Sequence, residues 1–160
     1  MGVYVCSANN NLGRSSEAQL ELEVQFGPKV WLSPFDFIKE EGDELSNDCF
    51  FKANPSPASD SIYWTKKGDP GFRHMGRFLK ITNLTLDHQG LYTCNVNNYL
   101  NLSGKPDLVQ RTGRASFELK ILHLPGQATI QPQEPVVILG KSVTLTCGTK
   151  PQGFPVPKFK

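Results

Sequence analysis

Residues 18–24, AQLELEV, alternate apolar and polar side chains: Ala18, Leu20, Leu22 and Val24 share one side, Gln19, Glu21 and Glu23 the other. A period of two marks a half-buried β-strand, whose successive side chains point to opposite faces. The alternation returns at RASFELKI, where Ala115, Phe117, Leu119 and Ile121 oppose Arg114, Ser116, Glu118 and Lys120. A third strand is expected at KSVTLTC, with Val143, Leu145 and Cys147 on one side, and it matches DELSNDC, where Leu45 and Cys49 hold equivalent places. No window of about a dozen residues keeps apolar positions at helical spacing without Pro or Gly intervening. The pattern predicts an all-β chain of short strands.

A second pattern shows repetition. Residues 86–94, LDHQGLYTC, place Gly90, Tyr92 and Cys94 on alternate positions of a strand entry, and the opening GVYVC repeats Gly2, Tyr4 and Cys6 at the same spacing. Each of these strands is followed by one of the alternating strands, AQLELEV or RASFELKI, so the same pair of elements occurs twice. Alternation gives way to Pro and Gly at QFGPKV near residue 27 and at HLPGQA near residue 125, where unit boundaries are expected. Three units result: 1–25, the last strands of one domain; 27–122, a complete domain; and 126–160, the first strands of a further one. Links this short restrict the relative orientation of neighbours.

The 160 residues hold 17 Lys and Arg against 15 Asp and Glu, a formal net charge of +2, with the two signs interspersed. Such a mixed field gives no reason to expect nucleic acid or an acidic membrane surface as partner. No stretch approaches the roughly 18 consecutive apolar residues of a membrane span, and the start lacks the basic region and apolar run of a secretion signal. If the protein is extracellular, its address and its membrane anchor are expected outside this sequence. Cys6, Cys49, Cys94 and Cys147 lie far apart with no Cys-x-x-Cys pair, which argues against a zinc ribbon or a thioredoxin-like site. Long-range disulfides in an oxidising compartment and reduced, buried thiols both remain open at this point.

Catalysis needs a nucleophile, a base and an orienting group within hydrogen-bond reach in a pocket, and no such set is legible. His74, His88 and His123 stand on expected loops or strand ends, without carboxylate or Cys neighbours at metal spacing, and read as solvated surface. No glycine-rich phosphate loop, Gly-x-Ser-x-Gly elbow or His-Glu-x-x-His stretch occurs. The expectation is a protein that is not an enzyme and uses no metal or cofactor.

Between the two boundaries the landmarks come in a fixed order: Cys49, Trp64, then Leu79-x-Ile81-x-x-Leu84, then Asp87-x-x-Gly90-x-Tyr92-x-Cys94. This order resembles an immunoglobulin-superfamily domain of the intermediate set, common in tandem arrays. The resemblance implies a Greek-key β-sandwich, one complete domain flanked by two partial ones. It implies a disulfide between Cys49 and Cys94 that joins the two sheets, with Trp64 packed on it and Leu79, Ile81, Leu84 and Tyr92 in the core. Closing that loop contributes about 4 kcal/mol in the chain-entropy model, and burying the Trp64 indole up to about 4–6 kcal/mol. Tyr92 takes the place of the tyrosine corner. Gly90 is expected to permit the tight turn before it, and Asp87 to accept hydrogen bonds from turn amides. Cys6 and Cys147 become half-disulfides with partners outside these residues. Asn47 departs from the pattern, because it sits at an inward position usually aliphatic, and it requires either a bulge or a buried partner.

Within the superfamily, CFFKANPSPASDSIYWTKKGD and the stretch from HLPGQ to the end are similar to nephrin-like and echinoid-like adhesion receptors. That similarity implies a segment of a single-pass cell-surface receptor, in the extracellular region, that binds another cell-surface protein through tandem modules, with a second copy of itself as one candidate partner and homophilic or heterophilic binding left open. The alternative is an intracellular structural array like those of the giant muscle filament proteins. Two glycosylation sequons occur, at Asn83 and Asn101. Asn101 lies in what reads as a long connection from Asn97 to Gly113, of the kind that either carries function or is a mobile decoration. By parity against Trp64 and Cys94, the side chains of Tyr63, Thr65, Thr93, Asn95 and Asn97 point away from the core and form the candidate partner-binding face.

Overall fold

The computed structural model describes residues 2–159. Two short hairpin units flank a central sandwich, and the described residues form β-strands with two single-turn 3-10 segments, Ser59–Ser61 and Leu86–His88. The N-terminal unit pairs β1 (Gly2–Cys6) with β4 (Ala18–Leu22) antiparallel, and the small ribbon β2 (Asn9–Asn10) and β3 (Gly13–Arg14) lies between them in sequence. Tyr4 stands opposite Leu20, and Cys6 opposite Ala18.

The sandwich begins at β5 (Phe26–Leu32), followed by β6 (Asp36–Glu40), β7 (Leu45–Asn54), β8 (Ile62–Lys66), β9 (Asp69–Met75), β10 (Phe78–Ile81), β11 (Gly90–Leu100) and β12 (Val109–Leu122). One sheet has the order β10-β7-β5, the other β6-β12-β11-β8-β9. All pairings within them are antiparallel except β6 with β12, which is parallel. The chain thus changes sheet between β5 and β6, so one N-terminal segment edges both layers. This is an immunoglobulin-like β-sandwich. Gly27 and Pro28, at the expected start of the central unit, lie inside β5, where the pairing with β7 shifts register between Phe26 and Lys29. An edge strand tolerates Pro at such a bulge because its amide is not needed by the ladder.

The core fills with inward residues of both sheets. Leu45, Cys49, Trp64, Leu79, Tyr92, Cys94 and Phe117 are fully or almost fully buried. Phe117 sits at their centre: Tyr92 stacks on it at 5.3 Å between ring centroids, while Trp64 at 5.8 Å and Phe37 at 5.1 Å meet it edge-on. Such offset and edge-on pairs add to the energy of simple burial. Cys49 of β7 and Cys94 of β11 form a disulfide across the layers, with a Cα separation of 6.2 Å and 45 positions apart in sequence.

Beyond Leu122, β13 (Ala128–Gln131) pairs with β14 (Thr146–Thr149). The strand expected over KSVTLTC is strand only from Thr146; residues 141–145 are irregular. Alternation marks a chain able to form a strand, yet a strand exists only where a neighbour supplies its hydrogen bonds, and among the described residues Ala128–Gln131 is the only partner.

Candidate recognition site

The outward side of the five-stranded sheet is built from alternate residues of β8, β9, β11 and β12. Tyr63 of β8 is half-buried and carries the Arg73 guanidinium over its ring at 3.7 Å from the centroid. Register explains the stack: Tyr63 is opposite Met75 and Thr65 opposite Arg73, so the arginine reaches diagonally across one rung. A cation over an aromatic face at this distance is attracted by the ring quadrupole.

Beside this stack runs a chain of side-chain hydrogen bonds. Asn95 Nδ2 donates to Thr65 Oγ1 at 3.1 Å and to the Thr93 carbonyl at 3.2 Å, and Thr65 Oγ1 donates to that same carbonyl at 3.4 Å. The Thr93 and Ser116 hydroxyls bond at 2.8 Å, and Thr112 Oγ1 donates to Asn97 Oδ1 at 2.7 Å. Tyr63, Thr65, Thr93 and Asn97 therefore occupy one outward face. Asn95 shares it but is only 6% exposed, because its amide is used beneath its neighbours. As a group that could reach a partner, Asn95 has to be withdrawn.

The loop expected to border this face is shorter than it reads. Asn97 pairs with Thr112, Asn98 with Arg111, Tyr99 with Gln110 and Leu100 with Val109, so only residues 101–108 connect the strands. Asn is depleted in strands, and three of them in four positions hide the continuation. One is held by its surroundings: Asn98 is 2% exposed and Nδ2 donates to the carbonyls of Phe26 and Pro55, both at 3.0 Å. The neighbouring link is tied in the same way, through Asn54 Nδ2 to the Val24 carbonyl at 2.7 Å and the Asn101 amide to Gln25 Oε1 at 2.7 Å. The Asn101 side chain sits at the exposed start of the loop, and Asn83 is exposed with φ 54°.

The turn into β11 also departs from expectation. Tyr92 Oη donates to the His88 carbonyl at 2.7 Å, and burial together with the charge of Asp69 pushes the Tyr92 phenol up to about 12. Gly90 has φ 138°, a conformation that a side chain rarely adopts. The Asp87 carboxylate accepts no hydrogen bond among the described residues. The capping role belongs to Thr85 and His88, whose Nδ1 accepts the Thr85 amide at 3.0 Å while the Thr85 hydroxyl lies 3.0 Å from the same nitrogen. His88 is thus a cap, and its carbonyl serves the corner. A Thr followed three residues later by a polar side chain is the signal that would have found it. His74 lies within β9, its Nε2 2.9 Å from the Phe78 carbonyl, and His123 Nδ1 lies 3.2 Å from the Leu124 carbonyl.

In the core, Trp64 Nε1 donates to the Arg77 carbonyl at 3.2 Å, which satisfies the one polar atom of a fully buried indole. Leu79 and Leu84 are buried and Ile81 is partly so. The buried Asn47 side chain is satisfied by backbone at the sandwich edge: Nδ2 donates to the carbonyl of the exposed Pro34 at 3.4 Å, and Oδ1 accepts the amide of the half-buried Asp48 at 2.9 Å. Cys6 and Cys147 are exposed thiols. Among the described residues no three His, Cys, Asp or Glu side chains gather as metal ligands, and no helix is long and apolar enough to cross a membrane.

No protein-family model matches the chain. Cell adhesion molecule 4 of Xenopus laevis is 28% identical over 150 residues, which is 89% of this chain and 35% of that protein. Peroxidasin homolog of Homo sapiens is 32% identical across 98% of this chain and 10% of its own length. Contactin-1 of Gallus gallus is 30% identical across 99% of this chain and 14% of its own length. The chain thus spans about a third or less of the relatives it matches. Among solved structures, the N-terminal four Ig domains of Dscam1 isoform 9.44 align with a TM-score of 0.48 and 24% identity, over 75% of this chain and 27% of that one. The sequence matches run through the sandwich and both flanking units rather than over a single motif, and the chain belongs to the immunoglobulin superfamily.

Proposed function

We propose that the chain is a non-catalytic recognition segment of a cell-surface adhesion receptor, which binds another cell-surface protein through the outward face of the five-stranded sheet. The observation that carries this reading is the state of that face. Its hydroxyls and amides are already bonded to one another, from Asn95 and Thr65 through Thr93 to Ser116, so covering them strands few unpaired polar groups. What remains to meet a partner is the Tyr63 ring under Arg73, a pairing of the two residue types that often anchor interfaces. The similarity to a protein named as a cell adhesion molecule, across nearly the whole chain, supports the same reading.

In this reading residues 1–25 and 126–160 are portions of neighbouring immunoglobulin domains. The apolar residues Tyr4, Leu20 and Leu22, exposed in the N-terminal unit, then pack under further strands, and Cys6 and Cys147 find bridging partners there. The protein lies outside the cell, anchored by a segment beyond these residues, with glycan on Asn101 and Asn83 and a second copy of itself among the candidate partners. Affinity arises from weak contacts made multivalent by the array. The test is staining of live cells of the source tissue with a fluorescent tetramer of the chain. Tyr63→Ala combined with Arg73→Ala is expected to reduce staining at least about fivefold, by the loss of an interface anchor. Staining by that variant equal to the parent's overturns the assignment of the face.

A further inference from the structure

The opposite layer has an outward face that neither the core nor the proposed recognition face uses. On it β5 and β7 set two like rungs side by side. Lys29 stands directly opposite Lys52, and Trp31 directly opposite Phe50. The rungs lie two residues apart on each strand, about 7 Å along the sheet at the usual strand rise. Trp31 is 49% exposed, and its ring lies nearly parallel to that of Phe50, 15° apart with centroids at 6.2 Å. Phe78, 61% exposed on β10, and the Arg77 guanidinium, 5.4 Å from the Phe50 centroid, extend the platform.

An aromatic pair across two strands stabilises a sheet without any ligand, but the lysine rung beside it does the reverse. Like charges directly opposite each other destabilise a sheet. The other cations of this face are compensated: Arg77 is bonded to Asp48, and Lys80 lies 3.1 Å from Glu44. Lys29 and Lys52 have no anion within salt-bridge distance among the described residues. The excess positive charge is thus concentrated on one rung, next to a flat exposed aromatic surface.

We propose that this face binds an anionic polysaccharide, a sugar chain bearing sulfate or carboxylate groups. The two ammonium groups hold one anionic substituent between them, and the polarised C–H edge of the adjoining sugar ring lies on the Trp31–Phe50 platform, whose ring faces are electron-rich. The flatness of the platform favours this occupant over a bilayer, which rewards side chains that project and insert. An acidic peptide satisfies the lysines but leaves the aromatic surface without a ring to cover it.

The experiment is titration of the 160-residue chain with a sulfated hexasaccharide by calorimetry at low and physiological salt. Binding is expected, and it weakens as salt rises. Lys29→Gln with Lys52→Gln reduces affinity about tenfold, the usual worth of lost charge-assisted hydrogen bonds. Trp31→Thr, conservative for an exposed edge-strand position and checked by its melting temperature, reduces it at least about fivefold. Arg114→Gln, one positive charge removed from the other sheet, leaves affinity unchanged. Absence of binding by the parent chain, an equal loss in Arg114→Gln, or equal binding of the desulfated hexasaccharide, of polyglutamate or of phosphatidylserine vesicles overturns the proposal. None of these outcomes depends on Tyr63 or Arg73, so the two faces succeed or fail separately.

Discussion

Removing one oxygen atom from Tyr92 separates two effects that the fold combines in that side chain. In Tyr92→Phe the ring keeps its stack on Phe117 at 5.3 Å and its edge contact with Phe72 at 5.3 Å, while the 2.7 Å hydrogen bond to the His88 carbonyl is lost. At neutral pH the variant is expected to be less stable by about 1 kcal/mol, the net worth of one such bond. The wild-type side chain, however, also carries a pH dependence that phenylalanine lacks. Burial raises the Tyr92 phenol from 10.0 to about 12, so the folded state holds its proton more tightly than the unfolded chain does. The stabilisation linked to that proton is complete below about pH 10 and declines as pH rises towards about 12.

The magnitude follows from the interval. At pH 11 the unfolded phenol is about nine-tenths ionised and the folded one about one-tenth, which removes roughly 1.4 kcal/mol from wild-type stability. That loss is similar in size to the hydrogen bond. Urea unfolding, followed by the fluorescence of buried Trp64, is therefore expected to give an advantage of wild type over Tyr92→Phe that shrinks from about 1 kcal/mol at pH 8 to near zero around pH 11. Every other side chain is common to both proteins, so its contribution cancels in the difference. Both proteins carry Cys6→Ser and Cys147→Ser, so that the two exposed thiols cannot exchange with the disulfide at high pH. A difference that stays constant from pH 8 to 11.5 refutes the reasoning: it would mean that the corner holds a hydrogen bond but does not oppose ionisation.

Four further outcomes follow from the same packing. Replacing Cys49 and Cys94 together by Ala and Val opens a closed loop spanning 45 positions and is expected to cost about 4 kcal/mol in the chain-entropy description, read as a lower urea midpoint. Nonreducing mass mapping of the parent protein should find those two cysteines joined, and recovery of both as free thiols would contradict the extracellular reading. Asn98→Ala leaves the carbonyls of Phe26 and Pro55 without their donor and should cost about 2–3 kcal/mol, with faster amide exchange in β5 before any change in β9. Gly113→Ala drives a methyl group into the Pro28 carbonyl and to 2.7 Å from Val30 Cγ2, so a loss of at least about 2 kcal/mol is expected from thermal melts.

The sequence was legible wherever burial decided the side chain. Phe117, Leu119 and Ile121 alternate because one side of β12 faces the core, and the Cys49, Trp64, Tyr92, Cys94 order survives because those four side chains fill the space between the layers. It was illegible where hydrogen bonding overrides composition. Asn97 and Asn98 read as the start of a loop, but the Asn97 side chain accepts a hydrogen bond from Thr112 across the strand pair and Asn98 fastens the strand to its neighbours. Parity placed Asn95 on the outward face correctly and could not reveal that the face would consume its donors. Asp87 failed in the opposite sense: an acid in a turn suggests a cap, while the turn's amide is taken by His88.

The lysine rung shows why some sites lie beyond pattern reading altogether. In KVWL, alternation already turns Lys29 and Trp31 outward, as it does Phe50 and Lys52 in FFK. Which lysine faces which aromatic depends on the register between β5 and β7, and that register is set by the irregular step between Phe26 and Lys29. A shift by two residues would place Lys29 against Phe50, giving cation–aromatic contact in place of charge repulsion. The bulge therefore does more than accommodate Pro28 at an edge: it puts like against like on both rungs, separating a charged end of the face from a flat one. The link at residues 24–26 that precedes the bulge is held by Asn54 and Asn98. Loosening that clamp should thus degrade binding on the three-stranded face while leaving the Tyr63–Arg73 face intact, because only the former derives its geometry from where β5 begins.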